Sequence, residues 1–272
     1  MYQMPDILLC NDDGWESAGL HALKNELDKI GDVTVFAPSC ERSWIGKKIS
    51  RYNEISVSPV DPKGMIDNSE VYSVSGTPSD SCLIGTSNIF KSKGKPPDLI
   101  VSGINNGANM GLSFILSSGT VAVSLEAAMM GIPSICVSMF FQKKEHYSKG
   151  IINDIKSYDK AAIFSRMVAE KILNNGKLPD GIDFLIINVP YGIKNFDFVV
   201  TEIARIHYGY LFRKINDNTY KFDERLNFQN FKDKVPDNSD INIVINKYKI
   251  SISPILLDLT GNLKELNKFL QF

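Results

Sequence analysis

The segment Ile7-Leu8-Leu9-Cys10-Asn11-Asp12-Asp13-Gly14 sets two carboxylates side by side at the end of a short apolar run. Adjacent acids repel each other unless water screens them or a cation lies between them. A pair placed where a buried strand ends therefore points to a divalent metal. Oxygen donors, amides and small residues follow other apolar runs as well. These are Pro38-Ser39-Cys40-Glu41-Arg42-Ser43, Ser102-Gly103-Ile104-Asn105-Asn106-Gly107-Ala108-Asn109 and Ser117-Ser118-Gly119-Thr120. With only His21, His146 and His207 in the chain, an imidazole-rich zinc site is a poor match. Carboxylates supplemented by Asn and Ser oxygens suit a hard cation such as Mg²⁺, Mn²⁺ or Ca²⁺. An octahedral ion held by few protein groups keeps positions for water and substrate oxygen, which is the basis of metal-assisted hydrolysis. Ser118-Gly119-Thr120 precedes an apolar helical pattern. There it offers hydroxyls and unpaired backbone N–H groups to an anion, with a glycine that lets the anion come close. A metal and an anion cradle on one edge imply phosphate-ester chemistry.

Each segment also has a plain structural reading. Asn-Asp-Asp-Gly can be a turn followed by a helix cap, and Ser-Gly-Thr can simply cap a helix. Asn105-Asn106-Gly107 has turn chemistry, and Glu41-Arg42 reads as a solvated pair. His21 reads as structural and Met129-Met130 as core packing. What lifts the functional reading is placement. In open α/β sheets ligands bind beyond the carboxyl ends of the strands, and these segments follow separate predicted strands.

The elements that must position them alternate between short apolar runs and helical repeats. Ile7–Cys10, Val33–Ala37, Leu99–Val101, Ile132–Ser138 and Phe184–Pro190 read as strands, the third ending at Ser102-Gly103. Leu20, Leu23, Leu27 and Ile30 share one helical face, and Val121–Met130 and Ala161–Leu173 read as further helices. Uninterrupted apolar strands argue for a sheet covered on both faces. The expected fold is α/β, a Rossmann-like, doubly wound and mostly parallel sheet with a C-terminal β-hairpin extension. From Val199 to Ile252 the chain turns aromatic, β-branched and charged, broken at Asn216-Asp217-Asn218 and Pro236-Asp237-Asn238-Ser239. Hairpins projecting from the core are expected there. The organisation is therefore a single domain overall: a core over 1–198, an extension over 199–253 returning to it, and a C-terminal helix segment over 254–272, its amphipathic pattern running from Leu263 to Phe272.

Composition narrows the class. Thirty basic and thirty-one acidic side chains leave a net charge of −1, which gives no basic surface for a nucleic-acid polymer. No apolar run approaches the roughly 20 residues of a membrane span. The four widely spaced cysteines, Cys10, Cys40, Cys82 and Cys136, suit reduced thiols in the cytoplasm.

Taken in order, the acid-pair segment, Ala37-Pro38 with Glu41-Arg42-Ser43, Gly76-Thr77-Pro78-Ser79-Asp80, Ser102 to Gly111 and Ser118-Gly119-Thr120-Val121 resemble the SurE family of nucleotidases and acid phosphatases. Weaker echoes occur at Asn188-Val189-Pro190 and Ile250 to Pro254. The resemblance implies a phosphatase acting on nucleoside monophosphates at the 5′ or 3′ position, with activity on short polyphosphate in some members. It implies one divalent metal per subunit, held by Asp12, Asp13, Ser43 and Asn105. It places the phosphate on Asn109, Ser118, Gly119 and Thr120, and implies a homodimer or homotetramer built with the hairpin. The converging oxygen ligands themselves suggest the catalytic role of the acid pair, one carboxylate, Asp13 ahead of Asp12, assisting deprotonation of water. Two local departures stand out. Gly46-Lys47-Lys48 replaces the family's usual polar segment, adding positive potential at the substrate mouth. Leu112–Ser117 is one residue longer than the family's usual bacterial pattern and carries Ser113-Phe114 where an aspartate is common.

Competing readings are weaker on the residues. A phospho-aspartyl phosphatase needs an Asp-x-Asp-x-Thr-like nucleophile, whereas the chain reads Asp12-Asp13-Gly14-Trp15. A receiver-like signalling module needs a third aspartate and a late lysine, where this chain has Asn105 and Asn188-Val189-Pro190. A non-hydrolytic nucleotide-binding protein would use the same pocket.

Overall fold

The computed structural model describes residues 4–61, 70–142, 144–223, 231 and 234–271. The first half runs β1 (Asp6–Cys10), α1 (Ala18–Leu27), β2 (Asp32–Pro38), β3 (Val57–Pro59), β4 (Glu70–Val74), α2 (Pro78–Lys93), β5 (Leu99–Asn106), α3 (Leu112–Ser117) and α4 (Gly119–Met129). It continues with β6 (Ser134–Phe140), α5 (Lys144–Ser148), α6 (Asp159–Asn175), β7 (Phe184–Pro190) and β8 (Phe198–Val200). The remainder comprises β9 (Phe212–Asn216), β10 (Thr219–Phe222), α7 (Asp240–Ile245), β11 (Ile250–Ile255) and α8 (Leu263–Phe269).

The main sheet has the order β3-β4-β2-β1-β5-β6-β7-β11-β8. Its central run β4-β2-β1-β5-β6-β7 is parallel throughout, while β3 and β11 pair antiparallel to β4 and β7. Chain direction across the sheet reverses between β1 and β5, so the crevice beyond their carboxyl ends is the topological switch point where such sheets bind ligands. Strand β1 shows why the apolar runs are continuous. Ile7 and Leu9 enter the core on one face with Leu20, Leu23 and Leu27 of α1 and Ala161 of α6. Leu8 and Cys10 enter the opposite face with Cys82 of α2 and Val123 of α4. Both sides of the pleat are covered, so neither can be polar.

Three expectations change. Strand β5 does not end at Ser102-Gly103. It runs to Asn106, with an irregularity in its pairing to β6 between Ser102 and Asn105. Such a bulge re-aims the side chains after it. A Cβ on Gly103 would meet the Val137 carbonyl oxygen at 2.3 Å, so this position needs glycine. Second, Val199–Ile252 is not hairpins alone. Strands β9 and β10 form one exposed hairpin turning at Asp217-Asn218, whereas β8 and β11 join the main sheet and α7 is buried. The Pro236–Ser239 break is the start of α7, capped by the Ser239 hydroxyl. Third, Met129 and Met130 at the end of α4 are exposed, not core. The C-terminal helix covers Leu263–Phe269, and Phe272 lies outside the described residues.

Candidate active site

Asp12 and Asp13 follow β1 into the switch-point crevice. Neither caps α1. The Ser17 hydroxyl caps that helix, and the Asn11 side chain forms the turn by donating to the Gly14 carbonyl and to Ser17 Oγ, each at 2.8 Å. The carboxylates are therefore not used up by the turn.

Asp12 is buried and faces the start of α4. Its Oδ1 accepts a 2.5 Å hydrogen bond from Thr120 Oγ1, and the Thr120 backbone adds a second. Gly119 makes this approach possible, because a Cβ there would lie 2.8 Å from the Asp12 Cβ. An anion at a helix N-terminus is favoured by the unpaired amides and the helix dipole, and here the protein's own carboxylate occupies that position. Asp13 Oδ2 accepts from the Asn106 amide at 2.9 Å. Burial raises the Asp12 carboxyl to about 6, with Glu41 adding repulsion against the Thr120 hydrogen bonds. Burial, then repulsion from Asp12, raises Asp13 to about 8. Among the described residues neither acid has a lysine or arginine partner.

A cavity of about 250 Å³ opens beside this pair. Asp12, Ser43, Asn105, Asn109 and Ser118 all line it, with Trp44, Phe114 and Phe222. Asp13 lines an adjoining hollow of about 390 Å³ with Glu41 and Tyr158, and Asn106 borders both spaces. Gly119 and Thr120 line neither and act through Asp12. The Ser43 hydroxyl donates to Glu41 Oε1 at 2.5 Å, leaving its lone pairs available. Asn105 Nδ2 donates to the Gly107 carbonyl at 2.6 Å. The Ser118 hydroxyl caps α4 by accepting from the Val121 amide at 3.1 Å.

The donor set accommodates a hard cation. Among the described residues no three His, Cys, Asp or Glu side chains gather into a metal-binding group. An ion here would rest on Asp12 and Asp13, with the neutral oxygens of Ser43 and Asn105 and with water completing its shell. That is the ligand chemistry of Mg²⁺ or Mn²⁺ and not of zinc. A buried and a half-buried acid without a basic partner, whose charged forms are disfavoured, provide the electrostatic reason for a cation.

Several supporting residues were not among the sequence-derived candidates. Asn188, at the end of β7, accepts from the Asn109 amide at 2.9 Å and donates to its carbonyl at 3.0 Å. Ser138 of β6 accepts from Asn109 Nδ2 at 2.8 Å. Both sit near strand ends, where the search that found Asn105 could have found them. Asp240 of α7 carries no such signal. It holds the amides of Gly111, Ala204 and Ile241 at 2.7, 3.0 and 2.8 Å, locking the loop after Asn109. Gly76–Asp80 has a structural role as a capping box with Pro78 at the start of α2. Its Thr77 hydroxyl also donates to the Lys48 carbonyl. The expected positive potential at Lys47-Lys48 is reduced, because Lys47 Nζ lies 2.6 Å from buried Glu126 Oε1. Glu41 also departs from a plain solvated pair, since it faces both aspartates and Ser43.

The profile of the family described as Survival protein SurE matches residues 7–210. The 5′-nucleotidase SurE of Archaeoglobus fulgidus is 36% identical over 258 residues, 95% of this chain and 94% of that one. The 5′-nucleotidase SurE of Methanobrevibacter smithii is 31% identical over 97% of this chain and 99% of its own. The crystal structure of the SurE protein from Aquifex aeolicus aligns with a TM-score of 0.76 at 28% identity, covering 98% of both chains. On these matches, and with its acid pair at the switch point of a doubly wound sheet, the chain belongs to the SurE family.

Proposed function

We propose that the chain is a divalent-cation-dependent phosphohydrolase that releases phosphate from nucleoside 5′- or 3′-monophosphates, with short polyphosphate as a further substrate. The observation that carries this reading is the single cavity lined by Asp12, Ser43, Asn105, Asn109 and Ser118 at the β1/β5 switch point. Relatives bearing the name 5′-nucleotidase supply the substrate class.

A cation held by Asp12, Asp13, Ser43 and Asn105 would supply Lewis acidity toward phosphoryl oxygen and lower the pKa of water. Asn109, fixed on three sides by Asn188 and Ser138, and Ser118 at the tip of α4 orient the phosphoryl oxygens and stabilise their developing charge. Thr120 and Gly119 hold Asp12 in place. One carboxylate of the pair, Asp13 ahead of Asp12, accepts the proton of the attacking water.

The test is a phosphate-release panel over 5′-nucleotides, 3′-nucleotides and polyphosphate, each with EDTA, Mg²⁺, Mn²⁺ or Ca²⁺. Release with a cation and none in EDTA is the expected result, lost in Asp13→Asn. If no substrate releases phosphate with any cation, a non-hydrolytic nucleotide-binding protein is left. We also assign subunit assembly, as a dimer or tetramer, to the exposed β9–β10 hairpin. Phe212, Ile215 and Tyr220 leave apolar surface there, and light scattering on a Phe212→Asp, Ile215→Asp variant tests it. The four cysteines are unpaired, which supports a cytoplasmic setting. No described helix is long and apolar enough to cross a membrane.

A further inference from the structure

The cavity beside the acid pair has a second wall that phosphate chemistry does not use. Trp44 follows Ser43 directly and adopts φ +60°, a left-handed conformation that is costly for a bulky L-residue. The loop is held there from both sides. Arg42 donates its amide to the Asp12 carbonyl at 2.7 Å, and Gly46 donates to the Ser117 carbonyl at 2.9 Å. The indole makes T-shaped contacts with Phe114 of α3, Tyr208 and Phe222 of β10, at centroid distances of 5.8, 5.7 and 5.3 Å. Such contacts fix the plane of the ring, and Trp44 stays 44% exposed while lining the cavity with Phe114 and Phe222. Three segments far apart in sequence thus converge on one indole beside a set of oxygen donors.

A cavity polar at one end and aromatic at the other suits a ligand with an anionic end and a flat π-system. We infer that Trp44, braced by Phe114 and Phe222, is the nucleobase platform of this site and the residue that makes it prefer nucleotides over base-free phosphate esters. This rests on the phosphohydrolase reading only for the direction in which the ligand lies. Base–aromatic stacking tolerates every base but strengthens with ring area, so purine monophosphates should be favoured over pyrimidine ones.

The chain has two tryptophans, Trp15 and Trp44, so a Trp15→Phe background isolates the Trp44 emission. A non-hydrolysable phosphonate analogue of AMP with Mg²⁺ should quench that emission, while ribose 5-phosphate should not. In turnover, Trp44→Ala should lower the ratio of kcat/KM for AMP to kcat/KM for ribose 5-phosphate about tenfold, chiefly through KM for AMP. Trp44→Gly, which relieves the left-handed backbone, should give the same ratio and guards against a folding defect in the alanine variant. An unchanged ratio with no quenching overturns the platform and leaves phosphohydrolysis standing. Quenching by the AMP analogue without phosphate release from any substrate supports the platform and overturns phosphohydrolysis instead.

Discussion

Thr120 Oγ1 donates to Asp12 Oδ1 at 2.5 Å, joining the start of α4 to the end of β1 across 108 positions of the chain. The bond places a buried acid against the positive end of a helix. It also counters the burial that otherwise favours the protonated form.

Removing that donor while keeping shape isolates its contribution. Thr120→Val should cost about 1.5–3 kcal/mol, as expected for a hydrogen bond to a charged group, and should reduce cation-dependent phosphate release at least tenfold. Thr120→Ser should retain most of both. Urea unfolding and initial rates on the three proteins check this, and a fully active valine variant would remove Thr120 from the account.

Gly119→Ala puts a methyl 2.8 Å from the Asp12 Cβ and 3.0 Å from Pro78 Cγ. Both neighbours are buried and backbone-anchored, so relief must come from moving the Asp12 loop. Overpacking of this kind typically costs about 1–3 kcal/mol. Cation affinity, measured calorimetrically, should fall even though no ligand group has been deleted.

The acid pair makes stability without cation depend on pH in an uncommon direction. In the fold Asp12 lies near 6 and Asp13 near 8, above the roughly 3.9 of an unfolded aspartate. Folding then favours the protonated forms. Their contribution is fully present below about pH 4 and is lost as pH rises through 6 and then 8. In EDTA, Tm should decline across that window by more in wild type than in Asp13→Asn. A cation held by the pair would displace these protons, so Mg²⁺ or Mn²⁺ should raise Tm more at pH 8 than at pH 5.5. An equal rise at both would contradict the assignment of Asp13 to the cation.

Asp240→Ala strands three buried backbone donors, at Gly111, Ala204 and Ile241. An unsatisfied buried group costs about 1–3 kcal/mol, so a loss of several kcal/mol is expected in chemical denaturation. Because Gly111 closes the loop that carries Asn109, KM for the phosphate ester should also rise in any fraction that folds.

The sequence by itself determined the layered α/β core and the edge at which its chemistry gathers. Runs such as Ile7–Cys10 are apolar on both faces of the pleat; residues at the ends of parallel strands, and those that open the helices returning antiparallel to them, emerge at the same edge, so Asp12, Asn105 and Ser118 were legible as neighbours. The uses of those side chains were decided by tertiary structure. Ser118-Gly119-Thr120 has the composition of an anion cradle, yet Thr120 and Gly119 serve Asp12, because β1 ends directly below α4 in the folded sheet. The aromatic wall was equally hidden: Trp44, Phe114 and Phe222 share no spacing or periodicity, and they meet through packing of a loop, a short helix and a hairpin. Local pattern encodes which face of an element is buried. Which distant element then covers that face, and which hydrogen bonds it completes there, depends on long-range packing that no single segment records.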